Sequence, residues 1–241
     1  HAVVDNAKIH SKSKVIIRID LKDFFQSITF VQVLDLFNSL GFENKISSIL
    51  ASLCTDAESI GSDNRNANNS GNLPQGACTS PVLSNLISKN LDIRLRSLAD
   101  KLSFNYTRYS DDLIFSSKTF SDSCDEIIAS IETIVNSEGF EINQKKTKIM
   151  RQHNRQIVNG LIVNNGVAMS RKDFKKIRAF FHNIYKIGYK NFVMDNDKDP
   201  YEYALFKMHY LRMVSPLQFN KMMIHIATKY CSMEDDFFHP L

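Results

Sequence analysis

Apolar residues along this chain follow two rhythms. Val15-Ile16-Ile17-Arg18-Ile19 is a nearly continuous apolar run, which predicts a mostly buried strand ending at Asp20. Tyr106 to Tyr109 and Leu113 to Phe115 are β-prone runs on either side of Ser110-Asp111-Asp112, and together predict a β-hairpin. Elsewhere the period is helical. Phe30, Val33, Leu34, Phe37 and Leu40 share one face of a helix predicted over 29–40, with Thr29 and Gln32 as a capping box and Gly41 as its stop. A short helix is predicted over Lys45 to Leu53. Ser80 as N-cap and Pro81 at the first helical position open another, running to about Leu98. Ile127, Ile128, Ile131, Ile134 and Val135 form the inward face of a helix from Asp122 to Ser137, ended by Gly139. Phe140 to Ile142 and Lys148 to Met150 read as short strands. Gln156 to Val163 and Val167 to Met169 flank Asn165-Gly166, a type I′ hairpin signal. Beyond it the pattern is helical only. Ser170 caps a basic helix with Phe174, Ile177, Phe181 and Ile184 inward, and helices over Tyr201 to Val214 and Pro216 to Tyr230 follow.

The segment from Asp56 to Asn72 is polar, rich in Ser, Asn and Gly, and without apolar period, so it predicts a mobile surface loop. No internal repeat or long low-complexity segment is visible. The fold class is therefore α+β, with two parts: mixed α and β over 1–168, and helices over 169–241.

Composition narrows the function classes. With 241 residues, 43% of them hydrophobic, the chain can bury a substantial core. A net charge of +4 is compatible with a nucleic-acid partner, and equally with an ordinary soluble protein. Four scattered cysteines without a C-x-x-C pair argue against a disulfide framework or a zinc site, and point to a reducing cytoplasm. No apolar run is long enough to span a membrane, and no signal peptide is visible. The chain starts at His1, which predicts a fragment or a product lacking an N-terminal portion.

The candidate chemistry sits in the acids. Asp111 and Asp112 are adjacent in a turn, where like charges repel and no stability argument asks for them. A hard divalent cation such as Mg²⁺ does, since it takes carboxylate oxygens and keeps substrate phosphates as further ligands. The bland alternative is a solvated acidic turn. Asp20, at the tip of the buried strand, is a third acid able to converge on the same point. Three such acids suit two-metal phosphoryl transfer. By contrast, Glu234-Asp235-Asp236 reads as a solvated acidic tail.

Four strings then carry a family resemblance. In order they are IRIDLKDFFQSI, NLPQGACTSPVLSNLI, YTRYSDDLIFS and EGFEINQKKTKIM, spread over about 15–150. This succession resembles the palm of a bacterial reverse transcriptase. Asn6-Ala7-Lys8-Ile9-His10 matches the N-A-x-x-H signature of the retron branch. Val158-Asn159-Gly160 stands where that branch has V-T-G, with Asn159 as a departure.

The resemblance implies a right-hand polymerase. Residues 1–168 would form a fingers remnant and the palm, an antiparallel sheet with helices; residues 169–241 would form a helical thumb. Asp20, Asp111 and Asp112 would be catalytic, holding two Mg²⁺ ions (Mn²⁺ as a substitute), with the Leu21 carbonyl as a further oxygen. Asp23 and Phe24 would offer backbone amides to the triphosphate of an incoming deoxynucleotide. Phe25 would exclude a 2′-hydroxyl, Gln75 would touch the sugar and the template pair, and Lys146 would approach the phosphates. Each has a plain alternative: a core aromatic, a turn glutamine and a surface lysine.

RNA contacts would come from two places. Asn6, His10, Val158, Asn159 and Gly160 would read local shape, while Arg171, Lys172, Lys175 and Lys176 would grip phosphates. The branch also implies a structured non-coding RNA as template and primer, a branched RNA–DNA product, and an anti-phage setting with a separate effector protein. Rival readings are a group II intron-like or other defence-associated reverse transcriptase, an RNA-dependent RNA polymerase, and a non-catalytic RNA-binding scaffold. The N-A-x-x-H string argues against the intron reading, Phe25 against the RNA polymerase, and the intact acids against the scaffold.

Overall fold

The apolar strand is an inner strand of the sheet that carries the acids. In the computed structural model, which describes residues 3–56, 71–119, 124–187 and 199–230, the chain runs α1 (Val3–Ile9), β1 (Val15–Asp20), α2 (Phe30–Ser39), α3 (Asn44–Cys54), α4 (Ser80–Ile87) and α5 (Lys89–Lys101). It continues with β2 (Asn105–Tyr109), β3 (Asp112–Ser117), α6 (Asp125–Ser137), β4 (Lys148–Arg151), β5 (Ile157–Val158), β6 (Leu161–Ile162), α7 (Arg171–Ile187), α8 (Pro200–Val214) and α9 (Pro216–Tyr230). Its contacts divide into two compact units, Ser13–Asn154 and His1–Lys12 with Arg155–Leu241.

In the first unit, β1 lies inside a sheet of order β2-β3-β1-β4, antiparallel throughout. Side chains alternate between the two faces of a strand, and here the alternation separates core from chemistry. Val15, Ile17 and Ile19 on β1 and Leu113 and Phe115 on β3 join the hydrophobic core with Leu91, Leu95 and Ala99 of α5 and Ile127, Ile131 and Val135 of α6. Arg18 and Asp20, at the alternate positions, face the other way, across from Asp112 and Ile114.

Several sequence expectations hold at the level of local chemistry. Thr29 and Gln32 form the reciprocal capping box of α2. Ser170 accepts the Asp173 amide at 3.1 Å, and α7 buries Ile177, Phe181 and Ile184. Others need correction. The single helix expected from Ser80 is two helices meeting at Ser88, the second reaching Lys101, with Thr79 rather than Ser80 at the N-cap position. The Ser80 hydroxyl is spent on the Pro74 carbonyl at 2.7 Å. Phe140 to Ile142 is not a strand; it makes one isolated bridge, Leu21 with Ile142. The loop expected over 56–72 falls mostly on residues 57–70, outside the described ones, as do the first residues of the helix expected from Asp122.

In the second unit, the tight hairpin turn is Asn159-Gly160, not Asn165-Gly166. Ile157 and Val158 pair with Ile162 and Leu161, and the two turn residues have φ of +49° and +79°. Positive φ at both central positions is what a type I′ turn demands, and Asn and Gly tolerate it. Asn165-Gly166 sits in a wider loop closed by the Ile162–Ala168 bridge. The N-terminal segment lies beside this hairpin, the Lys12 amide donating to the Val163 carbonyl at 2.9 Å.

His10 also needs correction. The imidazole is fully buried, so it does not offer the RNA contact expected of it. Burial pushes its pKa down to about 4, which keeps it neutral in the fold. Protonation therefore favours the unfolded chain, and stability is lost as pH falls from the ordinary histidine range toward that value. Unfolding free energy is expected to drop by about 2 kcal/mol between about pH 7 and pH 5 through this group alone. Denaturant unfolding at both pH values checks it: His10→Gln should flatten the dependence, and an unchanged slope would contradict it.

Candidate active site

Register builds the site. Asp20, the last residue of β1, lies directly opposite Asp112, the first residue of β3, and Asp112 is paired with Tyr109 on β2. Asp111 occupies the two-residue turn with Ser110, whose φ is +57°. Like charges facing each other across strands destabilise a sheet, so this placement costs stability and calls for a functional reason. The turn is fixed from below, since the Leu21 amide donates to the Asp111 carbonyl at 2.9 Å.

The three acids are not equivalent. Asp20 is only 5% exposed, and its Oδ1 accepts no hydrogen bond although the Lys146 ammonium is 3.1 Å away. Lys146 donates instead to Oδ2 at 3.3 Å. Burial, then the charges of Asp112 and Asp20, push the Asp111 carboxyl above its ordinary value, while its own backbone amide pulls the other way. Asp112 is held by a fork: Arg18 Nε donates to Oδ1 at 2.9 Å and an Arg18 Nη to Oδ2 at 2.7 Å. Among the described residues, no group of three or more His, Cys, Asp or Glu side chains is gathered as a metal cluster. Asp20 and Asp111 nevertheless fit a hard divalent cation. A buried carboxylate with one oxygen outside any hydrogen bond, beside a second, partly buried carboxylate, is a donor set that such an ion satisfies.

The other residues that the sequence singles out are placed by their own elements. Lys146 is brought in by a turn in which the Asn143 amide donates to the Asp20 carbonyl at 2.8 Å and the Lys146 amide to the Asn143 carbonyl at 3.0 Å. Its pairing with Asp20 raises the ammonium pKa. Asp23 has φ +46°, and the amides of Asp23 and Phe24 find no backbone acceptor among the described residues. Phe24 is buried, and Phe25 is only partly buried, its ring 5.4 Å from that of Phe24. Gln75 is exposed on a turn where Gly76 has φ +101°. Arg171, Lys172, Lys175 and Lys176 are exposed on α7. Val158 is fully buried, Gly160 is exposed, and Asn6 and Asn159 are intermediate.

Two arginines escaped the sequence reading. Arg18 is one. Its signal was a lone charge inside an apolar strand, two residues before Asp20 and so on the same face. Arg108 is the other, on the core face of β2. It donates Nε and Nη to Asp92 of α5 at 2.8 and 2.6 Å, another Nη to Asn85 of α4 at 3.0 Å, and reaches the Ser110 carbonyl at 3.2 Å. The Tyr106 hydroxyl donates to the same Asp92 at 2.8 Å. The guanidinium also lies over the Phe24 ring, 5.8 Å from its centroid. This network ties the acidic turn to both helices beneath the sheet.

Comparison with known proteins shows the family. The family profile described as reverse transcriptase (RNA-dependent DNA polymerase) matches residues 1–191. The Retron Ec86 reverse transcriptase of Escherichia coli is 36% identical over 188 residues, covering 76% of this chain and 53% of that protein. The Retron Mx65 reverse transcriptase of Myxococcus xanthus is 35% identical over 191 residues, covering 75% and 43%. The chain thus spans about half the length of the curated relatives it matches. The foamy viral protease-reverse transcriptase, solved with an RNA/DNA hybrid, superposes on 95% of this chain and 26% of its own, with a TM-score of 0.50 at 16% identity, a likeness of fold. The chain belongs to the reverse transcriptase (RNA-dependent DNA polymerase) family and, within it, is similar to the retron enzymes.

Proposed function

We propose that this protein is an RNA-directed DNA polymerase that extends a primer with deoxynucleotides on a structured non-coding RNA. One observation carries the reading: Asp20 and Asp111 bring two carboxylates together at the adjoining ends of neighbouring strands, Asp20 buried and met, among the described residues, only by the exposed Lys146 ammonium. In the reaction a primer hydroxyl gives up its proton to solvent, its oxygen bonds to the α-phosphorus of the triphosphate, the bond from that phosphorus to the β-phosphate bridging oxygen breaks, and pyrophosphate leaves. Asp20 and Asp111, with the Leu21 carbonyl, would hold two Mg²⁺ ions, or Mn²⁺ in their place. When bound, these ions supply a more acidic attacking hydroxyl and charge neutralisation on the leaving group.

The remaining steps belong to the chain. Lys146, which pairs with Asp20 in the free protein, would give its proton to the departing pyrophosphate or hold its charge. The amides of Asp23 and Phe24 are free to bind the triphosphate. Gln75 meets the sugar and the template pair from its exposed turn. The partly buried Phe25 ring fills the space a 2′-hydroxyl would need. Phe25→Val is expected to raise the ratio of ribo- to deoxynucleotide incorporation by about tenfold or more, since bulk alone is the barrier. An unchanged ratio in steady-state incorporation would return Phe25 to the core.

The retron likeness extends the proposal to the partners. The RNA serves as both template and primer, a 2′-hydroxyl starts synthesis, and the product is branched RNA–DNA in an anti-phage system with a separate effector protein, working in a bacterial cytoplasm. No helix among the described residues is long and apolar enough to cross a membrane. In this reading residues 169–241 act as thumb. Arg171, Lys172, Lys175 and Lys176 grip phosphates, and Asn6, Asn159 and Gly160 read local shape while His10 and Val158 support them from within. The test is synthesis on the cognate RNA. DNA that stays joined to RNA through denaturation, and is freed by ribonuclease down to a short branched stub, supports the branch reading. DNA released by denaturation alone opposes it.

A further inference from the structure

Arg18 has no task in the reaction just described, yet it makes the closest contact at the acidic cluster. Its strand explains how. Arg18 precedes Asp20 by two residues, so both side chains leave β1 on one face, and Asp112 lies opposite Asp20. Arg18 and Asp112 are therefore diagonal neighbours, within reach of a long side chain. The fork engages both Asp112 oxygens, at 2.9 and 2.7 Å. Asp20 and Asp111 are left open, Asp20 facing only Lys146, whose side chain is 63% exposed and free to swing away.

An ordinary surface ion pair is the alternative, and such pairs contribute little. Three features argue for more. The pair is bidentate, which fixes orientation as well as charge. Arg18 is the only charged residue in β1 apart from Asp20 itself. And the carboxylate it takes belongs to the very cluster a cation would need.

We infer that Arg18 is a positioning residue: it withholds Asp112 from direct metal ligation, leaving Asp20 and Asp111 as the ion-binding pair and keeping affinity for a lone divalent ion low. The inference rests on the polymerase reading for the identity of the ion site. It makes a prediction of opposite signs, which a purely structural ion pair does not. Removing Arg18 frees two carboxylate oxygens and takes away one positive charge, so ion binding should tighten. The geometry of the acidic pair should loosen at the same time, so synthesis should slow.

The test uses Mn²⁺ as the probe, titrated into nucleotide-free protein and followed by the electron paramagnetic resonance of the free ion. Arg18→Met is expected to bind Mn²⁺ about fivefold more tightly than wild type, while DNA synthesis at saturating ion falls about tenfold. The double variant Arg18→Met with Asp112→Asn should lose the tightening, because no carboxylate is freed. Arg18→Lys keeps a charge without the fork, so it should fold even if Arg18→Met does not; it should tighten Mn²⁺ binding by less and slow synthesis. Unchanged or weaker Mn²⁺ binding in folded Arg18→Met, or in Arg18→Lys if that alone folds, overturns the inference and leaves the polymerase reading standing. A wild-type protein that neither binds Mn²⁺ nor incorporates deoxynucleotides overturns both.

Discussion

Asp111→Asn is expected to lower DNA synthesis at least about a thousandfold, the equivalent of about 4 kcal/mol of barrier. The substitution keeps the size and turn geometry of the side chain. It removes the negative charge that a cation at this site requires. Asp20 alone would then face the ion, with Asp112 held by Arg18. The fold should not suffer. Burial and two neighbouring carboxylates already press on the Asp111 charge, so a neutral amide there relieves repulsion in the ion-free protein. Incorporation rates with divalent ion present, read beside thermal melting without it, separate the two effects. Near wild-type synthesis by a folded variant would contradict the metal assignment.

The second large effect concerns stability. Arg108 is only 6% exposed in its side chain, whereas its partner Asp92 is 31% exposed. Breaking a buried ion pair costs about 3–5 kcal/mol because one charge is left uncompensated. The two halves of this pair should not cost the same. Arg108→Met leaves a carboxylate that still reaches water and keeps the Tyr106 hydroxyl, and should cost about 3 kcal/mol, the lower end of that range. Asp92→Ala strands a buried guanidinium and the Tyr106 hydroxyl together, and should cost nearer about 5 kcal/mol. Chemical denaturation of both variants gives the comparison. Equal losses, or a larger loss for Arg108→Met, would show that burial does not set the asymmetry.

What the sequence discloses follows from how local each feature is. Asp20 and Asp111 were legible because a buried strand and a tight hairpin are short-range patterns, and an acid at the end of either stands out. The capping box of α2 needs only Thr29 and Gln32. Arg108 with Asp92 was not legible, because the partners are 16 positions apart on different elements and meet only once α5 packs under the sheet. His10 misled for a different reason: the residues alone suggest a structural histidine, and the RNA contact came only from the family resemblance. In the fold the imidazole is fully buried. Two Asn-Gly dipeptides competed for one hairpin, and their local chemistry is the same. Pairing of Ile157 and Val158 with Leu161 and Ile162 decided it in favour of Asn159-Gly160. The break at Ser88 carries no glycine or proline, so the helical period ran straight through it.

The most direct measurement is incorporation of a labelled deoxynucleotide onto a primed RNA template by the wild-type protein, with Mg²⁺ and with chelator. The proposed function predicts templated extension with Mg²⁺, none with chelator, and choice of nucleotide set by the RNA base. A folded protein that binds the primed template and extends nothing at any Mg²⁺ or Mn²⁺ concentration would contradict it, and would leave an RNA-binding scaffold with the polymerase fold.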